Sequence, residues 1–108
     1  MVAVAASAQL KPAQLVGHWR TAGPHLGCDI TYAADGTFSG RIELDGAVIS
    51  TFAGKWSLNG DKLDYTYTKS SPQNAPLGKD RDRLIEATKN YFVIEASDGS
   101  RRKYSRVK

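Results

Sequence analysis

Apolar and polar residues alternate with a period of two through most of the chain. Cys28, Ile30 and Tyr32 share one face, with Asp29 and Thr31 on the other. Phe38, Gly40, Ile42 and Leu44 oppose Ser39, Arg41 and Glu43. Phe52, Gly54, Trp56 and Leu58 oppose Ala53, Lys55 and Ser57, and Leu63, Tyr65 and Tyr67 oppose Asp64, Thr66 and Thr68. Side chains of a strand point alternately to its two faces, so each run predicts a strand with one dry face and one wet face. Four dipeptides punctuate the pattern: Asp35-Gly36, Asp45-Gly46, Asn59-Gly60 and Asp98-Gly99. Such pairs accept positive φ and suit two-residue hairpins.

Eight strands are predicted between these signals: Gly17–Ala22, Cys28–Ala33, Thr37–Leu44, Val48–Leu58, Lys62–Thr68, Asp82–Thr88, Tyr91–Ala96 and Arg101–Val107. Connections this short force neighbours to run antiparallel. Pro12 opens one helical turn, Pro12 to Val16, and Gly17 ends it. No long amphipathic helix is available to cover the dry face of an open sheet. The fold class expected is all-β: an eight-stranded antiparallel up-and-down barrel in which closure removes both bare edges. Gly40 and Gly54 lie on the dry face within strands, where a small barrel bends at its corners. The longest unpunctuated stretch, Lys69 to Arg81, reads either as a plain connector or as a lid at the barrel mouth.

Composition changes this picture little. The 108 residues suffice for one domain, taken as 10–108, behind an N-terminal tail of residues 1–9. In that tail Ala6-Ser7-Ala8 has the form of a signal-peptidase site, so residues 1–9 read as a flexible tail or a signal remnant, and the expected location is periplasmic or secreted. The net charge of +4 favours anionic surroundings without requiring nucleic acid, because the basic residues are not interleaved with outward aromatics. No apolar run reaches the roughly 20 residues of a membrane-spanning helix.

The candidate chemistry is sparse. Cys28 is the one cysteine, so no disulfide forms within the chain; it reads as a buried thiol or as a link between two chains. His25-x-x-Cys28 has metal-ligand spacing but lacks a second pair, and no metal or cofactor is expected. Asp29, Glu43, Asp64, Glu86 and Glu95 are scattered over wet faces and turns, with no acid–base pair among them, so binding is expected rather than catalysis. Arg101, Arg102, Lys103, Arg106 and Lys108 crowd the last strand, either to protect a sheet edge or to meet an anionic partner. If the barrel holds a ligand, its lumen falls to Tyr32, Phe38, Ile42, Phe52, Trp56, Tyr65, Tyr67 and Phe92, with Ile94 beside them. Eight strands give an interior that is either filled by side chains or just wide enough for one small molecule. Tyr65 and Tyr67 would then offer hydroxyls to a headgroup.

Leu15-Val16-Gly17-His18-Trp19 carries Gly-x-Trp at the start of the first strand. With Tyr32-Ala33-Ala34-Asp35-Gly36-Thr37-Phe38, the second Gly-x-Trp at Gly54-Lys55-Trp56, and the closing Tyr104-Ser105-Arg106-Val107, it resembles small bacterial lipocalin-like (calycin-type) domains. That resemblance implies a ligand-binding barrel for a small apolar or amphiphilic molecule. It also implies that Arg106 packs over Trp19, and gives Gly17, Trp19 and Arg106 structural roles. A partial resemblance links Leu15 to Trp19, Cys28-Asp29-Ile30 and Asp98 to Arg102 with secreted inhibitors of serralysin-type metalloproteases. It implies instead a module that meets a protein partner through its N-terminal arm and barrel rim.

Overall fold

A computed structural model describes residues 11–23, 25–71 and 78–107. The tail assigned to residues 1–9 therefore lies outside the described residues, as do residues 72–77 of the expected lid. A 3-10 turn (Pro12–Leu15) leads into eight strands: β1 (Gly17–Ala22), β2 (Leu26–Tyr32), β3 (Thr37–Leu44), β4 (Ala47–Asn59), β5 (Lys62–Ser71), β6 (Lys79–Ala87), β7 (Tyr91–Glu95) and β8 (Arg101–Arg106). Each strand pairs antiparallel with its neighbour in sequence, and β8 returns to β1 at Trp19↔Arg106 and Arg20↔Ser105, closing the barrel. The expected up-and-down barrel is therefore found.

Two local expectations are corrected. Lys69 to Arg81 is not one loop, because β5 runs on to Ser71 and β6 begins at Lys79. The polar run Lys69-Ser70-Ser71 pairs with Ala53, Phe52 and Thr51 through backbone groups, which need no apolar side chains. Of the four turns, only Asp45-Gly46 has positive φ at both residues. At Asp35-Gly36 and Asp98-Gly99 the glycine alone is positive, and the aspartate carboxylate accepts from the backbone N–H two residues on, at Thr37 and Ser100. The matching bonds Gly36 N–H to Ala33 O and Gly99 N–H to Ala96 O make both loops longer than a two-residue hairpin.

The strand directions give the barrel two unlike ends. The turn around 33–36, Asp61, the 88–90 connection and the N-terminal 3-10 turn gather at one end, the floor. Gly23, His25, the 45–46 connection, Gly78 and the 96–100 turn gather at the other, the mouth. The floor is sealed. Trp19 is fully buried and donates its indole N–H to the Leu15 carbonyl at 2.7 Å. Phe92 meets its ring edge-on at 4.9 Å. Arg106 lies over the indole ring, 4.1 Å from its centroid, and donates to the Val16, Gln14 and Lys89 carbonyls. One guanidinium thereby ties β8, the 3-10 turn and the 88–90 connection together. Gly17, at φ +137°, leaves the space the guanidinium occupies, since a Cβ there would collide with Arg106 Nη1.

Candidate functional site: the mouth of the barrel

The lumen is divided across its middle by a ring layer. Tyr32 and Tyr65 share a hydrogen bond between their hydroxyls at 2.6 Å, and burial pushes both phenols well above their ordinary pKa. Phe38 packs edge-on against Tyr65 at 5.3 Å, and Trp56 meets Tyr32 at 5.0 Å while donating its indole N–H to the Ala33 carbonyl. Below this layer the barrel is filled. Above it, a cavity of about 340 Å³ opens at the mouth.

Ile30, Ile42 and Phe52 form the apolar wall of this cavity, and Tyr65, Tyr67 and Tyr104 form the aromatic one. Of the eight residues expected in the lumen, Ile42, Phe52, Tyr65 and Tyr67 line it. Tyr32, Phe38, Trp56 and Phe92 do not line it; they are buried in the core of the floor and the dividing layer, and Ile94, paired with Leu84 and Arg102, is buried in the same core. The interior is thus packed by side chains toward the floor and opens into a cavity toward the mouth.

Five further groups give the cup its polarity: Cys28, Ser70, Asp80, Asp82 and Arg102. Parity places most of them. Asp80 and Asp82 alternate inward with Leu84 on β6, and Arg102 alternates inward with Tyr104 on β8. Ser70 faces in through an irregularity: the β4–β5 register shifts beside Gly54, so that Ala53 pairs with Lys69 while Gly54 pairs with Tyr67. The extra residue, Thr68, reverses the alternation beyond it.

Asp82 is half-buried, and its carboxyl is pushed up to about 6, first by desolvation and then by the neighbouring charge of Asp80. Arg102 and the Tyr65 hydroxyl work against that rise. Burial likewise raises the Cys28 thiol and pushes the Tyr67 phenol up to about 12, so the cup offers neutral S–H and O–H groups. A thiol with a raised pKa is the opposite of an activated nucleophile. The two histidines are engaged elsewhere. His18 bonds Asp29 at 2.7 Å on the outer wall, and His25 bonds Asp45 at 2.9 Å near the β3–β4 turn. Among the described residues, no cluster of three or more metal-ligating side chains is present.

Two expectations about charge are corrected. The carboxylates are not all isolated: Asp29, buried although it faces outward, is held by His18, Arg20 and Arg41, and Glu43 bonds Arg20 at 3.0 Å and Arg41 at 2.8 Å. Arg20 keeps the Glu43 carboxyl below its ordinary range. This five-residue lattice crosses β1, β2 and β3 and compensates its own charge, which is a structural role. The basic residues of β8 do not guard an edge, because β8 is paired on both sides. They have separate tasks: Arg101 pairs with Glu95, Lys103 lies over the Tyr91 ring, Arg106 braces the floor and Arg102 enters the cup. At the mouth the β2, β3 and β4 ends carry Leu26, Leu44, Val48 and Ile49, each about half exposed.

A solved structure described as a lipocalin-like protein from Bacteroides uniformis superposes on this barrel with a TM-score of 0.68. The match covers 87% of this chain and 99% of that one at 18% sequence identity. The fold is lipocalin-like. No protein-family model matches the sequence, and no curated protein does either. At this identity the likeness extends to the lipocalin-like barrel and not to a particular ligand. Among the described residues no helix is long and apolar enough to cross a membrane.

Proposed function

We propose that this lipocalin-like barrel is a binding protein that takes one small apolar or amphiphilic molecule into its mouth half. The observation that carries this reading is the cavity of about 340 Å³ above the Tyr32–Tyr65 layer. Its volume lies at the small end of the range for ligand pockets, about 300–1,000 Å³, and its mix of apolar walls with a few convergent polar groups is typical of them. The half-exposed Leu26, Leu44, Val48 and Ile49 give an apolar approach to that mouth. Binding is favoured over catalysis because the cup has no histidine and its thiol is held in the protonated form. Action outside the cytoplasm belongs to the same reading and is supported by Ala6-Ser7-Ala8; recovery of the protein in the cytoplasmic fraction alone would remove it.

The test fills the cup from within. Ile42 lines the cavity, so Ile42→Trp has room to place its indole there. The expected result is that wild-type protein binds the fluorescent probe N-phenylnaphthylamine and releases it to aliphatic competitors. The variant keeps its circular dichroism spectrum and loses probe affinity by about tenfold or more. Equal probe affinity in a folded Ile42→Trp variant contradicts the reading, as does a wild-type protein that takes up no probe.

A further inference from the structure

We infer that the molecule held in this cup carries a protonated amine, seated against Asp82 and Asp80 with its apolar body along Phe52 and Tyr67. The inference rests on the reading of the cup as a ligand site and adds the chemistry of the ligand. The charges carry it. The protein as a whole is basic, at +4, yet the cavity is lined by two carboxylates and one guanidinium. The acidity is therefore local and opposes the sign of the whole chain. Among the described residues, neither Asp82 nor Arg102 belongs to an ion pair within 4.0 Å, whereas most outer-wall carboxylates do. A half-buried carboxylate without such a pair is poorly solvated, and a cation arriving beside it recovers that loss.

The walls agree with the charge. Phe52, Tyr65, Tyr67 and Tyr104 present rings to the cavity, and aromatic faces attract cations and repel anions. The hydroxyls and the thiol remain neutral, so they add no competing charge.

Proton and amine compete for the same carboxylate. Within the cup the groups around Asp82 are Asp80 on its own strand, Tyr65 and Tyr67 on β5, Arg102 and Tyr104 on β8, and Cys28 on β2. Asp82 also borders a shallow groove with Asp61, Lys62, Arg81, Arg83 and Glu95, where Arg81 is engaged by Asp64, Arg83 by Asp61 and Glu95 by Arg101. Because the Asp82 carboxyl titrates near 6 in the free protein, its anion is present above that pH and lost below it. In the free protein that anion is a cost to folding above about 6, relieved on acidification. Asp82→Asn removes the cost and is expected to fold at least as stably as wild type at neutral pH.

The experiment compares three probes of one chain length, decylamine, decanol and decanoate, by titration calorimetry on the full chain. At neutral pH decylamine is expected to bind at least tenfold more tightly than decanoate, with decanol between. Asp82→Asn weakens decylamine about tenfold and changes decanol less than about twofold. Lowering the pH from about 7.5 to about 5 weakens decylamine about tenfold on wild-type protein, as a carboxyl titrating near 6 dictates, and leaves the variant nearly flat. Tightest binding of decanoate overturns the amine assignment and leaves the binding function standing. So does an amine affinity indifferent to Asp82→Asn and to pH. Failure of all three probes to bind overturns both.

Discussion

Gly54→Ala removes about 4 kcal/mol or more of folding stability and leaves a barrel at the edge of unfolding at room temperature. A Cβ at this position would collide with the Thr66 carbonyl oxygen and sit 2.9 Å from its carbon and 3.0 Å from the Tyr67 Cα. All three are backbone atoms of β5, so no side-chain rotation relieves the contact. Relief requires pulling β4 from β5 at the register shift that turns Ser70 into the cup. Domains of this size are stable by about 5–15 kcal/mol, so the loss is a large fraction of the total. Urea denaturation followed by circular dichroism measures it, and a midpoint within experimental error of wild type would refute the close approach at Gly54.

Trp19→Ala has a similar effect at the opposite end, expected at about 3–5 kcal/mol. Three losses combine. The fully buried indole leaves a cavity against Phe92, the Leu15 carbonyl loses its buried donor, and Arg106 loses the ring it stacks on. Trp19→Phe separates these effects. It keeps most of the ring packing, orphans the Leu15 carbonyl, and is expected to cost about 1–3 kcal/mol. The same urea experiment reads both variants. A Trp19→Ala protein that matches Trp19→Phe would show that the indole contributes only its hydrogen bond.

The barrel was legible because its signals are local and repeated. Alternation through Phe38, Phe52 and Tyr65 assigns a dry face to each strand, and the Asp-Gly pairs mark the reversals without any knowledge of tertiary contacts. Trp19, Gly17 and Arg106 were legible only through a resemblance, since the two ends of the chain meet there across the closing strand pair. The polar side of the cup was overlooked although the alternation contained it. Asp82 has the parity of Leu84, and Arg102 that of Tyr104. Charge run and strand-end position suggested an outward edge instead, and closure had left no edge to protect. What no pattern contains is the level at which the lumen changes from filled to open. That level depends on how Tyr32 and Tyr65 meet across the barrel, 33 residues apart in sequence. The inward turn of Ser70 was hidden for a related reason, because a one-residue register shift reverses every face beyond it.

Everything functional rests on an interior that is solid below the paired tyrosines and open above them. Titration of isotopically labelled protein with decylamine, followed through amide and methyl resonances, reads that division residue by residue. Large shifts are expected at Cys28, Ile30, Ile42, Phe52 and Tyr104, and almost none at Trp19, Leu63, Leu84 or Phe92. Shifts spread through the floor residues, or confined to the outer wall around His18 and Arg41, would contradict it.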